Sequence, residues 1–353
     1  MAAHHATAPW WSWALPLAGA AAMLAWGLGV PPLLALPLLI GCVFAAVHHA
    51  ETLALRLGAL LGTMVLALAV TVLEAGMIVS MMLGGAGPTV ARDSIFAALM
   101  IALNGILGLC LVLGGLRHRT QRFRPEAANA FLAVLIPMAA LTLVLPSQTL
   151  SSPGPVFTGP QLIFVAGVAF LLYLVFLYVQ LVRHRADFVA DHDLDAAQAR
   201  PGPGAAAFAG GLLVVSLSVV ILLAKALAPA LEAGVTAIGA PPALVGVAIA
   251  ALVLLPEGIT AVSAAGRDAP QTAVNLTLGS IVACVGLTIP AVAAVALVLG
   301  QPLHLGLDGA MTVLLATTFL LLATTLSRGR TTLLDGVVHL AVFSAFIVFT
   351  FLP

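Results

Sequence analysis

The chain has 353 residues, of which 62% are apolar and 7% charged, and its formal net charge at pH 7 is zero. A soluble domain carries about 25% charged residues, so this chain cannot build a water-facing surface and its natural solvent is lipid. The charge balance excludes nucleic acid as a partner and gives no steering towards acidic substrates.

In chain order, Trp10, Trp11 and Trp13 open a first apolar span that runs to about residue 30, where rings of this type favour the headgroup level. Gly29, Pro31 and Pro32 break it, and a second span runs to about Val47. The start, MAAHHATAPWW, has no basic n-region of a cleavable leader. A polar segment, HHAETLALRLG, then carries His48, His49, Glu51 and Arg56. The third span contains VLALAVTVLEAGMIVSMM (65–82), with Glu74 inside it. Further spans are expected at about 94–115, 128–146 and 160–182. The basic loop RHRTQRFR (117–124) separates the first two of these. RHRADFVADHDLDAAQARPGPG (183–204) is the one sizeable hydrophilic segment and reads as a solvated linker, its Asp191, His192, Asp193 and Asp195 included. Five more spans follow, at about 205–231, 240–264, 273–299, 308–326 and 333–352. Cys42, Cys110 and Cys284 all lie in apolar runs and read as packing residues, not as a disulfide framework or metal cluster.

Arginine placement tests this count of eleven. One side receives Arg56, Arg117, Arg119, Arg122, Arg124, Arg183, Arg185, Arg200, Arg267, Arg328 and Arg330, and the other only Arg92. The rich side is the cytoplasmic one, which also places the N-terminus there.

The chain repeats itself weakly. Setting Glu74 on Glu257 of VAIAALVLLPEGITAVSAA (247–265) also sets Val79 on Val262 and Ser80 on Ser263. Arg92-Asp93 and Arg267-Asp268 follow the two stretches, and NGILGLC (104–110) falls against GSIVACV (279–285). Five spans per unit is an odd number, so the second unit enters the membrane inverted. The expected fold is therefore an all-α polytopic membrane protein of about eleven transmembrane helices. It divides into a tail and extra helix (1–30), a first five-helix repeat (31–182), a cytoplasmic linker (183–204) and a second, inverted repeat (205–353).

A charge at bilayer depth costs at least a few kcal/mol and is retained for a task. Glu74 has Thr71 three residues back on its own helical face, and Glu257 has Thr260 three residues ahead. Pro256 cannot donate a backbone hydrogen bond, so a carbonyl one turn earlier is freed as a cation ligand. Asn104 and Ser280 lie on the neighbouring spans, Ser280 in a polar stripe with Thr277, Cys284 and Thr288. Two carboxylates, Glu74 and Glu257, with neutral oxygens from Thr71, Thr260, Asn104 and Ser280 make a hard-ligand metal and proton site, suited to Ca2+ and acceptable to Na+. The bland alternative for the hydroxyls is that they bond their own helix backbone. His48, His49 and Glu51 are candidates for proton gating, because imidazole titrates near neutral pH. His339 reads as a hydrogen-bonded packing residue, and Lys225 as a side chain that reaches the interface.

VHHAETLALRLG, VLALAVTVLEAGMIVSMM, NGILGLCLVLGGLRHR, LLAKALAP, VLLPEGITAVSAA and NLTLGSIVACVGLTIPAV resemble the bacterial Ca2+/H+ antiporters of ChaA type, within the cation/Ca2+ exchanger superfamily. The resemblance runs over about 47–350. It implies two inverted five-helix repeats in a bacterial inner membrane and exchange of cytoplasmic Ca2+, Na+ or K+ for protons without a cofactor. By motif it assigns cation and proton binding to Glu74 and Glu257. The G-N-x-x-E pattern of vacuolar-type relatives is replaced here by VTVLE and LLPEG, so ion preference stays open between Ca2+ and the monovalent cations. A channel and an intramembrane enzyme are the other readings, the latter without an HExxH or G-x-S-x-G motif to carry it.

Overall fold

A computed structural model describes residues 9–25, 32–57, 59–84, 88–188, 201–241 and 243–352. The long apolar runs become helices, because a helix alone satisfies every backbone polar group within one segment. In order they are α1 (Trp10–Leu24), α2 (Pro32–Leu57), α3 (Ala59–Leu83), α4 (Val90–His118), α5 (Pro125–Gln148) and α6 (Gly159–Arg183). There follow α7 (Pro203–Ala237), α8 (Ala243–Gly266), α9 (Pro270–Leu299), α10 (Gly309–Leu326) and α11 (Leu333–Phe351). Among the described residues nine helices are long and apolar enough to cross a membrane. The helices α1 and α3, the latter with its shorter apolar stretch Leu68–Leu83, occupy the positions of the other two expected spans.

One expectation is corrected. The segment HHAETLALRL does not interrupt the helix: α2 continues through it to Leu57. Its Ala, Glu, Leu and Arg are strong helix formers. His48, His49 and Glu51 are thus helical residues, and α2 extends beyond the expected end of the second span near Val47. The end of the expected first span (26–30) and the Asp191–Asp195 cluster lie outside the described residues.

The chain forms two compact units, and each draws on both sequence halves: residues 1–84 with 198–231, and 85–197 with 232–353. In the first unit small residues let the helices approach closely. A Cβ on Gly19 would come within 2.6 Å of Val219, and one on Gly76 within 2.5 Å of Ile221. His49 is buried beneath α1, its Nε2 2.8 Å from the Ser12 carbonyl oxygen, while the His48 ring lies 5.3 Å from that of Trp11.

In the second unit α4 and α8 run parallel. Their N-terminal ends meet at Gly246, where a Cβ would come 2.8 Å from the Ser94 nitrogen, and their C-terminal ends meet where Arg117 donates to the Gly266 carbonyl at 3.2 Å. α8 turns sharply into α9, so α4 and α9, which carry the aligned NGILGLC and GSIVACV, point in opposite directions, as an inverted repeat requires. The loops sort accordingly. At one end Gln121 and Arg122 pair with Thr331 and Arg330 in a two-residue ladder, and Gln121 donates to Ala265 and Asp268. At the other end of α4, Arg92 pairs with Asp93 and donates to the Gly306 carbonyl, and Ser147 donates to that of Leu307.

Four helices of this unit loosen into π turns, at Val179–Arg183 in α6, Ile101–Ile106 in α4, Ala140–Val144 in α5 and Cys284–Thr288 in α9. The latter two lie immediately upstream of Pro146 and Pro290. A proline offers no N–H and its ring crowds the carbonyl four residues back, so a wider turn relieves both.

Candidate cation site

In the first unit, Glu74 lies on α3 and is 6% exposed, with Thr71, one turn earlier on the same face, and Ser80 also buried. Among the described residues this is the carboxylate enclosed within an apolar helix of that unit, since Glu51 on α2 is exposed.

In the second unit, Glu257 lies on α8 directly after Pro256, and α8 stays helical through the proline. Glu257 accepts a hydrogen bond from the Ser280 hydroxyl of α9. A cavity of about 10 Å3 adjoins the pair, lined by Ala102 and Ile106 of α4, Leu254 and Gly258 of α8, and Leu276 and Thr277 of α9. That is near the smallest space that admits one water-sized sphere. Gly258 matters here: a Cβ would come 3.0 Å from Ile106, so its absence lets the π turn of α4 lie against α8.

The other predicted residues divide. Ser280 meets Glu257, and Thr277 of the same stripe borders the cavity, its hydroxyl donated to the Ala273 carbonyl at 2.8 Å. Thr260 is exposed and donates to the Pro256 carbonyl at 3.0 Å, so its hydroxyl serves its own helix. Asn104 is fully buried but turns away from Glu257. Its amide nitrogen donates to Thr318 of α10 at 2.8 Å, and its oxygen lies 3.1 Å from Nδ1 of His339 on α11. The sequence reading missed Thr318, one of several α10 hydroxyls with nothing to single it out, and read His339 as a hydrogen-bonded packing residue without naming Asn104 as its partner. Among the described residues no three His, Cys, Asp or Glu side chains converge as a metal cluster. The oxygens available to a cation are thus carboxylate, hydroxyl and backbone carbonyl, a set matched to hard ions.

A helical membrane protein with carboxylates enclosed in its apolar helices has the makings of an ion transporter, and its fold is a known one. The structure of native YfkE superimposes with a TM-score of 0.74 at 18% identity, covering 97% of this chain and all of that one. The H+/Ca2+ exchanger CAX does so with a TM-score of 0.70 at 15% identity, covering 96% of this chain and 86% of that one.

The chain belongs to the sodium/calcium exchanger protein family, which matches residues 32–182 and 208–352. The y4hA protein of Sinorhizobium fredii, named as a candidate ionic transporter, is 48% identical over 98% of this chain and 97% of its own. The sodium-potassium/proton antiporter ChaA of Escherichia coli is 34% identical over 90% of this chain and 88% of its own. Membership makes this chain an integral, multi-pass membrane transport protein and not an enzyme.

Proposed function

We propose that the protein is a secondary active transporter that exchanges cytoplasmic Ca2+ for protons by alternating access, with Glu74 and Glu257 carrying protons and cation in turn. The observation that carries the reading is Glu257 itself. It is a carboxylate beside a cavity of about 10 Å3 that is otherwise apolar but for two hydroxyls, Thr277 and Ser280. A carboxylate oxygen bound to a proton is not available to a cation, so occupancy by one species excludes the other and links their movements. Ser280 suits both states, because a hydroxyl donates to a carboxylate, or accepts from a carboxylic acid and turns its oxygen to a cation. Glu74 is placed in the same role by the repeat that aligns it with Glu257. The five-plus-five division at 31–182 and 205–353, a bacterial inner-membrane location and a cytoplasmic N-terminus belong to the same proposal, supported by the arginine distribution. His48, His49 and Glu51 on α2 are its candidates for proton gating.

A second reading, exchange of Na+ or K+ for protons, is favoured by the 34% identity to the sodium-potassium/proton antiporter. Purified protein in liposomes with an imposed pH gradient, assayed separately with Ca2+, Na+ and K+, decides between them. Ca2+ flux coupled to the gradient supports the first reading. Coupled Na+ or K+ flux without Ca2+ flux supports the second. Cation flux with no proton movement means a channel and overturns both.

A further inference from the structure

We infer that His339, on the last helix and remote in sequence from either glutamate, is a positioning residue for the Glu257 site, acting through Asn104. The inference rests on the proposed role of Glu257.

The hydrogen positions in this cluster follow from one fixed bond. The Thr318 hydroxyl donates to the Leu314 carbonyl at 2.8 Å. Its single hydrogen is then committed, so towards Asn104 it acts as acceptor and the Asn104 amide nitrogen as donor, at 2.8 Å. The Asn104 oxygen therefore faces His339, and Nδ1 of His339 donates to it, 3.1 Å away. All three side chains are 0% exposed. Buried polar networks of this kind fix one geometry, because any displaced member is left unsatisfied in low dielectric.

What the network holds is the π turn Ile101–Ile106. Asn104 faces α10 and α11, whereas Ala102 and Ile106 of the same turn line the cavity at Glu257. Helix α11 is itself pressed on α4 without slack. A Cβ on Gly336 would meet the Val112 nitrogen at 2.5 Å, and one on Gly108 would meet the His339 Cβ at 3.2 Å. The charged groups at the near end of α11 are already engaged, since Asp335 pairs with Arg328 and accepts from the Thr332 backbone N–H. His339 and Thr318 thus supply the polar grip on a turn that has traded regular α-helical bonding for its present shape. Removing that grip releases the wall of the site, not its ligands.

The test is transport by reconstituted His339→Leu, His339→Asn and Thr318→Val, with Glu257→Gln in the same vesicle preparation. His339→Leu is expected to raise the half-saturating cation concentration about 3- to 10-fold, the effect of one lost buried hydrogen bond, with the maximal rate retained. His339→Asn, which can place an amide N–H where Nδ1 stood, is expected to restore most of the affinity. Thr318→Val should shift affinity the same way and combine with His339→Leu less than additively. Unchanged affinity in His339→Leu overturns the inference, as does a loss of maximal rate that Asn does not rescue. If His339→Leu fails to fold, Thr318→Val alone decides by the same two outcomes. Normal exchange by Glu257→Gln would instead remove the reading on which the inference rests, and is distinguishable because it appears with His339 intact.

Discussion

Ser280 of α9 donates its hydroxyl hydrogen to the carboxylate of Glu257 on α8, joining two helices that a sharp turn makes neighbours. The bond places a neutral oxygen within reach of whatever ion the carboxylate holds. It also gives the carboxylate a partner when the ion is gone.

Replacing Ser280 by alanine should therefore weaken apparent cation affinity while exchange stays measurable. One bond to a charged group is lost, which corresponds to about a 10-fold effect or somewhat more. Ser280→Thr keeps the hydroxyl and should stay close to wild type. Half-saturation in reconstituted vesicles reads both, and wild-type affinity in the alanine variant would mean that the cation takes its neutral oxygens elsewhere.

Much of the fold was legible because lipid leaves little choice. Long uncharged apolar runs must become helices, and arginine cannot readily cross, so spans and their alternation follow from residue identity. Glu74, Glu257 and Ser280 were legible as candidates for the related reason that a polar group at depth stands out. Two things were not. The polar letters of HHAETLALRL suggest a break, but burial of His49 under Ser12 is a tertiary contact that a local reading cannot foresee. The direction of Asn104 depends on a π turn, which rotates side chains away from the faces that a 3.6-residue period assigns. Its partners lie 214 and 235 residues away in the chain.

The alternation of loops predicts labelling from opposite sides. The native cysteines are all buried, so an impermeant thiol reagent should report only introduced ones. Pro88→Cys, just before α4, should react from outside the cell and Arg267→Cys, just after α8, only from inside. Reaction of both from one side would contradict the inverted arrangement of the α3 and α8 stretches.

Close packing predicts a stability effect at Gly336. A methyl group there would lie 2.5 Å from the Val112 backbone nitrogen and 2.8 Å from the Gly108 oxygen, both immovable without shifting a helix. Gly336→Ala should destabilise the protein by about 1–3 kcal/mol, as overpacking does, and lower its melting temperature in detergent. An unchanged melting temperature would mean that α11 is free to move off α4.

The central claim is that Glu74 and Glu257 alternate between protons and cation, and simultaneous recording of Ca2+ uptake and proton efflux in liposomes tests it most directly. Wild-type protein should move the two in opposite directions. If both carboxyls release a proton, apparent Ca2+ affinity should rise roughly 100-fold per pH unit over the range where both are protonated without cation. Glu74→Gln or Glu257→Gln should abolish exchange, because each removes a carboxyl that holds proton and cation in turn. Exchange at the wild-type rate by either glutamine variant, with its pH dependence intact, would contradict the account for that residue.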